Sequence, residues 1–291
     1  ATATPVASGT AASTDTSAIV TGLSSNTSYE AYITTDCGAD GTSDQSSAVA
    51  FDTPCSIFVA PYANGFENMT VTSNFNGDDC WSENSPGTFG WDVSGSDTPS
   101  TGTGPNSAFN GSNFLFTEAS SGVQGDEALL VSPLIDMSAL TDPALSFWYH
   151  MHGADMGDLN IDVDAGSGFD LAVSTISGEQ QPNQGDAWIQ HFVDLSAYAG
   201  QTVTIRFRGV RGPGFASDIS IDDVLVDEAP SCFVPLNLIA SNPSLDGADI
   251  TWDPVANATA GYIWSVFNFG DDPAVDSPVL TGNVAAGVTS T

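Results

Sequence analysis

The sequence predicts an all-β protein built as β-sandwiches, and three observations predict it. From Leu145 to Tyr149 large apolar residues alternate with Ser146 and Trp148, and from Leu159 to Val163 they alternate with Asn160 and Asp162. A two-residue period of this kind is the mark of strands. The chain holds 29 Gly and is rich in Ser and Thr, as a protein of many short strands and turns must be. No stretch carries a convincing 3.6-residue apolar period, which argues against helices.

The amino-terminal part, residues 1–54, leads with Ser17-Ala18-Ile19-Val20 into Thr21-Gly22-Leu23 and on to Thr27-Ser28-Tyr29. Tyr29, Ala31, Ile33 and Thr35 then alternate with their neighbours up to Cys37. The run resembles the later half of a fibronectin type III domain. That resemblance implies a Gly-Leu turn pinned by the Tyr29 side chain, then a strand F and a strand G over 48–52. Asp52-Thr53-Pro54 would be the exit into a linker.

The central part is organised around LSFWYHMHGADMGDLNID, Leu145 to Asp162. Its first strand is apolar on both sides and is expected to be covered on both faces. Gly153 and Gly157 mark a tight corner, and the next strand has one wet face. The pair is expected to form a hairpin in the middle of a sandwich. This stretch resembles the central signature of MAM domains, jelly-roll adhesion modules. The other pieces fall in the family's order: Gly65-Phe66-Glu67, Cys80-Trp81, Trp91, Ser132-Pro133-Leu134-Ile135-Asp136, Trp188 with Val193-Asp194-Leu195, Ile205-Arg206-Phe207, and Ser217-Asp218-Ile219-Ser220-Ile221-Asp222-Asp223-Val224. Ser-Pro-Leu-Ile-Asp and Asp-Leu-Ser-Ala-Tyr-Ala-Gly resemble the bacterial form found in large secreted proteins of the Bacteroidota. The resemblance implies a jelly-roll β-sandwich over 55–230. Fold alone does not fix function, because function resides in sites carried on folds.

The carboxyl-terminal part, residues 231–291, mirrors the first. Pro235-Leu236-Asn237-Leu238, Ala248-Asp249-Ile250-Thr251-Trp252-Asp253 and Gly261-Tyr262-Ile263-Trp264-Ser265-Val266-Phe267 resemble the first half of a type III domain, with Trp252 as its core tryptophan. Ser277-Pro278-Val279-Leu280-Thr281-Gly282 also resembles Thr4-Pro5-Val6-Ala7-Ser8-Gly9. One back half, one front half and an internal similarity imply a slice of a tandem array of alternating type III and MAM-like units, each end completed by a neighbouring copy. The unrelated alternative is two half-domains without such neighbours.

Four cysteines in an acidic, Thr-rich chain point to an oxidising, extracellular setting. On the type III resemblance, Cys37 and Cys55 lie at opposite poles, beyond disulfide reach. Cys37 would pair with a Cys at the start of its own domain, and Cys232 occupies that start position in the other half-domain, which makes the two candidates for an inter-repeat bridge. Cys55 with Cys80 would then be the bridge within the MAM-like domain. Cys80 with Cys232 is the alternative. No Cys-x-x-Cys pair is present, which argues against zinc.

Charge is the unusual feature: three Lys+Arg against 36 Asp+Glu, a net charge of −33. A surface of that sign repels phosphates, so nucleic acid and anionic membranes are poor partners; no nucleic acid and no membrane insertion are expected. No apolar run approaches the length of about 18 residues needed for a membrane helix, and the opening residues do not read as a signal peptide, as expected of a mature or cut form. Salt adaptation, divalent-cation binding and glycosylation each account for such acidity. Dependence on salt or Ca²⁺ is expected. Asn26, Asn68, Asn110 and Asn257 stand in Asn-x-Ser/Thr triplets.

The MAM resemblance also implies a structural Ca²⁺ held by Glu67 and Asp222, with Asn113 and Glu118 as further ligands; hard oxygen donors suit Ca²⁺. Alternation supports Asp222: with Ile219, Ile221 and Leu225 on one face, it lies on the other beside Val224, where a bare carboxylate is costly. Asp162-Val163-Asp164-Ala165-Gly166 superficially matches a calcium loop, but its fifth position is Gly and no Glu closes it, so a solvated turn is expected. No Gly-x-Ser-x-Gly or His-Glu-x-x-His motif is present. His150 and His152 are expected to be structural. Arg206 and Arg208 share a strand face and, with Arg211, are expected to anchor buried carboxylates. Trp81, Trp91, Trp148 and Trp188 are expected mostly in the core. The sequence therefore predicts a secreted, non-enzymatic adhesion or structural repeat of a bacterial surface stalk or filament. Its expected partners are neighbouring copies, other cells or cell-surface glycans. The alternative is a carbohydrate-binding or spacer region of a large secreted hydrolase.

Overall fold

The computed structural model describes residues 4–73, 75–230, 235, 238–252, 255, 258, 260–271, 273 and 275–285. The chain divides into two compact units, Ala1–Glu228 and Ala229–Thr291. In the first, β1 (Ser28–Ala31) and β2 (Val49–Asp52) form an antiparallel ribbon. Tyr29 stacks on Phe51 at 5.8 Å, and its hydroxyl accepts the Ser24 amide at 2.8 Å, which pins the Gly22-Leu23 corner. The ribbon's other apolar side chains, Ile33 and Val49 among them, face water.

Thirteen strands then build a two-layer sandwich: β3 (Phe58–Val59), β4 (Tyr62–Asn64), β5 (Ser82–Glu83), β6 (Trp91–Ser94), β7 (Phe114–Thr117), β8 (Glu127–Val131), β9 (Ile135–Asp136), β10 (Pro143–His150), β11 (Asp158–Asp164), β12 (Phe169–Ser177), β13 (Ile189–Asp194), β14 (Thr202–Val210) and β15 (Ser220–Glu228). One sheet runs β13-β10-β15-β7-β6 with β4 added on β15; the other runs β12-β11-β14-β8-β5 with β9 on β14 and β3 on β9. The β3–β9 pair is parallel. Leu145, Phe147 and Tyr149 from one sheet meet Ile161, Ile205 and Phe207 from the other in one continuous core. Phe147 meets Phe207 edge to face at 4.9 Å.

Two expectations are corrected. Strands β10 and β11 do not form a hairpin: β10 pairs with β13 and β15, and β11 pairs with β12 and β14. Both strands have an apolar face, and the chain buries both by arching from one layer to the other. The arch is tight enough to need its glycines: a Cβ on Gly157 would lie 1.9 Å from the Val210 carbonyl oxygen. The second correction concerns β15. Asp223 is a bulge at φ 44°, and the pairing slips there, from Trp148 opposite Asp222 to Ser146 opposite Leu225. An inserted residue reverses the faces of everything after it. Val224 and Val226 therefore join Ile219 and Ile221 in the core, and Leu225 turns outward.

Cys55 and Cys80 are joined by a disulfide with their Cα atoms 5.9 Å apart. Closing a loop of this length restricts the unfolded chain by about 3.5 kcal/mol. Cys37 is exposed and unpaired among the described residues. Cys232, the candidate inter-repeat partner and the alternative partner of Cys80, lies outside the described residues.

The acidic strand face of β11 meets the basic face of β14. Arg206 and Arg208 both bind the fully buried Asp162, at 2.7 and 2.9 Å, and Arg208 also reaches Glu127 at 2.9 Å. Arg211 acts through its charge on the buried Asp218. Its guanidinium donates to the carbonyl oxygens of Ala119 and Gly212. Asp164 caps the β11–β12 turn by accepting the amides of Gly166 and Gly168, as expected of a solvated hairpin.

In the second unit β16 (Ile239–Ser241) pairs with β17 (Asp249–Thr251), and β18 (Tyr262–Val266) pairs with β19 (Leu280–Val284). Trp252 follows β17, is buried, and packs edge to face on Tyr262 at 5.1 Å. Leu236, Asn237, Asp253 and Asn257 lie outside the described residues.

Candidate functional site

The bulge on β15 sits in the middle of its sheet, and one loop folds against it. Asp222 is fully buried; its Oδ2 accepts the Phe109 amide at 3.0 Å and the Asn110 amide at 3.2 Å, and its Oδ1 accepts the Asp223 amide. Asp223 Oδ2 accepts the Asn110 side-chain amide at 3.2 Å. From the opposite side, Glu67 Oε1 accepts the amides of Ser112 and Asn113, both at 2.9 Å. Asn113 Nδ2 donates to the Met69 carbonyl at 3.0 Å, with the Phe66 and Glu67 carbonyls at 3.4 and 3.5 Å. Three carboxylates thus clamp the loop 109–113. Gly111 permits it: its φ is 65°, and a Cβ there would lie 2.4 Å from Glu67 Oε1.

The structure brings together three of the four expected metal ligands, Glu67, Asn113 and Asp222. Glu118 is not among them. It follows β7 where Asn113 precedes it, so the two are about 16 Å apart along the strand. Its Oε1 accepts the Ser120 amide, and its charge acts on Asp92 and Asp218. Among the described residues, no group of three or more His, Cys, Asp or Glu side chains is close enough to hold a metal ion. The donors around Asn113 are of the kind a hard cation takes, the Glu67 carboxylate and three main-chain carbonyls, with the Asp222 carboxylate on the same loop at Phe109 and Asn110. Main-chain amides meet Glu67 and Asp222, and the Asn113 amide meets the carbonyls.

The clamped loop holds an aromatic platform. Phe109 stacks on Trp148 with ring centres 3.9 Å apart and planes 12° from parallel. Trp188 donates its indole N–H to the Ser107 carbonyl and meets Phe114 edge to face at 5.6 Å. Trp81 and Trp91 are in the core as expected, whereas Trp148 and Trp188 are half-buried on the outer face. Beside Trp148 lies a groove of about 280 Å³ lined by Asn64, Gly65, Ser146, Gln190, Asp223 and Leu225 among others. Sequence reasoning assigned neither Ser146 nor Gln190 to a site, because their shared outward face depends on strand pairing.

His150 and Ser220 are direct cross-strand neighbours, and neither side chain has a hydrogen-bond partner; Asp218 Oδ2 is likewise unpartnered. They do not make a catalytic pair. Both His150 and Ser220 are fully buried, and burial, with His152 nearby, pushes the imidazole down to about 4. Burial likewise pushes His191 to about 4.

Burial pushes the carboxyls the other way: Asp222 and Asp218 up to about 7 and Asp92 up to about 6. Each favours the folded state only while protonated, so its contribution is complete below about pH 4 and is lost as pH rises through the folded pKa. The histidines act oppositely, gaining between about pH 4 and 6.5. Above about pH 6.5 they are neutral in both states, and only the carboxyls retain a slope. Without divalent cations, the melting temperature is expected to fall from pH 6.5 to 8. Asp222→Asn should flatten part of that fall. A flat or rising profile in the unsubstituted chain would contradict the burial of these carboxyls.

The family described as MAM domain, meprin/A5/mu matches residues 73–232. Human MAM domain-containing glycosylphosphatidylinositol anchor protein 1 is 39% identical over 128 residues, covering 42% of this chain and 13% of that protein. Neuropilin-1 of Xenopus laevis is 35% identical over 116 residues, covering 39% of this chain and 12% of that protein. The matched region is thus about an eighth of the length of these relatives. Among solved structures, the K1 cleaved adhesin domain of Lys-gingipain from Porphyromonas gingivalis W83 is similar at TM-score 0.42 and 18% identity, covering 58% of this chain and 98% of that one. A cyclase from Fischerella sp. TAU is similar at TM-score 0.39 and 17% identity, covering 60% and 98%.

Proposed function

The chain belongs to the MAM domain family, and from that premise we propose that it is a non-enzymatic extracellular adhesion module, one repeat of a long surface stalk or filament. One observation carries the repeat reading. Each flanking ribbon has two strands and leaves apolar side chains in water: Phe51 is 39% exposed in β2, and Ile263 is 81% exposed in β18. An isolated two-stranded ribbon is marginal in water. A neighbouring copy of the same unit supplies the missing strands by edge addition. No helix among the described residues is long and apolar enough to cross a membrane.

In this reading Ca²⁺ stiffens the module. Glu67, Asp222 and Asn113 would hold it, and its charge would relieve the burial of the Asp222 carboxylate. The module's targets are other cells or surface glycans.

The test is to follow melting and sedimentation of the whole chain in Ca²⁺ and in EDTA. Ca²⁺ at about 100 times its Kd should add about 2.7 kcal/mol, a rise of several degrees. Glu67→Ala should remove the difference. The sedimentation coefficient should climb with protein concentration. A monomer at every concentration would end the repeat reading, and identical melts would end the calcium reading.

A further inference from the structure

The outer groove beside Trp148 carries an inference that rests on the adhesive reading and names its target. We propose that this groove binds one neutral pyranose ring of a glycan, with Trp148, Ser146, Gln190 and Asp223 as its binding residues.

Three observations point there. First, the groove gathers polar side chains from three strands, Ser146, Gln190 and Asp223. Ser146 is 6% exposed and lines the groove together with Gln190. The Ser146 hydroxyl borders a groove of about 280 Å³, where it is placed to pair with a ligand. The volume lies at the small end for ligand sites and suits a single ring.

Second, the aromatic wall is fixed before any ligand arrives. Phe109 lies against Trp148 almost in parallel at 3.9 Å. The Phe109 amide is itself held by buried Asp222, and the same loop by Glu67. A ring held on one side loses little freedom on binding. An aromatic ring offers an apolar surface to the C–H groups of a sugar, and its neighbours reach the hydroxyls.

Third, the mixture of donors and acceptors selects the ligand. The Gln190 side chain both donates and accepts, the Ser146 hydroxyl does the same, the Trp148 indole only donates and the Asp223 carboxylate only accepts. A ligand must therefore present both kinds of group. Ammonium and guanidinium ligands only donate and would leave the indole N–H unmet. Anionic sugars meet Asp223 and a chain of net charge −33. Hydroxyls on a neutral ring match the set. Gly65 keeps the Asp223 carboxylate at the rim, since a Cβ there would lie 2.6 Å from its Oδ1.

The test is titration of the whole chain with methyl glucopyranoside, methyl galactopyranoside and methyl mannopyranoside. Tryptophan fluorescence and saturation-transfer NMR report binding, with methyl glucuronide and tetramethylammonium as controls. At least one neutral pyranoside should saturate with a Kd near the millimolar range. Gln190→Leu, which keeps the volume, should weaken binding at least fivefold with an unchanged melting temperature. Trp148→Ala should abolish it. No saturation by any neutral pyranoside would overturn the proposal, as would equal affinity in Gln190→Leu or preferential binding of the glucuronide or tetramethylammonium. Sedimentation of the same samples separates the two readings: absent sugar binding with intact self-association sinks this inference alone.

Discussion

Asp162→Ala should destabilise the sandwich by about 3–5 kcal/mol, because removing one partner of a buried charge cluster strands the rest. Asp162 is fully buried between Arg206 and Arg208, whose side chains are themselves largely covered. Its Oδ1 also accepts the Ala172 amide at 2.7 Å, so the substitution orphans a main-chain donor on the bulged strand β12. Arg208 would keep the half-exposed Glu127, and Arg206 would keep only the Phe169 ring at 4.0 Å. Burial by itself would raise the Asp162 pKa, but the hydrogen bonds from Arg208, the Ala172 amide and Arg206 outweigh it and lower the pKa. The stabilisation from this group is therefore present above the unfolded carboxyl pKa and is lost as pH falls through the folded one. Asp162→Asn, with similar shape and no charge, should recover part of the loss. Urea midpoints at constant slope measure all three chains. A loss below about 1 kcal/mol in Asp162→Ala would mean that the two arginines find water instead.

Phe147→Ala should cost a comparable amount, about 3–5 kcal/mol. Phe147 is fully buried at the centre of β10, edge-on to Phe207 and 5.5 Å from the His191 ring. The Phe207 contact joins the two sheets and the His191 contact ties β10 to β13 within one sheet, and the vacated space is ringed by strands that cannot close in without giving up their pairing. Phe147→Leu, which keeps most of the volume, should cost about 1.5 kcal/mol or less. Equal losses in the two variants would show that the site collapses onto the hole.

How much of this was legible in the sequence follows from where each feature originates. The apolar faces of β10 and β11 and the shared face of Arg206 and Arg208 are local alternation, which the chain spells out. The layer to which each strand belongs is not local. Leu159 and Ile161 look the same in a hairpin or in an arch, and only the choice of partners, β14 for one and β15 for the other, decides. The bulge at Asp223 is also invisible to a two-residue count, since one added residue leaves the pattern apolar on both sides of it. That is why Val224 was expected beside Asp222 and instead lies in the core. Glu118 and Asn113 were expected together from one strand, but they flank β7 at opposite ends, so one ion does not reach both. The groove was unreadable because Ser146, Gln190 and Leu225 come from three strands that meet only after folding.

The Cys55–Cys80 bridge has a mechanical consequence. When the chain is pulled from its amino-terminal side, force reaches Cys55 and crosses directly to Cys80. The 25-residue separation between them, which contains β3 and β4, drops out of the load path. About 85 Å of contour length is then hidden from stretching. Strand β4 lies antiparallel on β15 with Tyr62 opposite Val226, an arrangement that would peel apart one bond at a time if pulled from its two ends. The covalent shortcut removes that weak seam from the loaded route, so the oxidised module transmits tension through its broader strands.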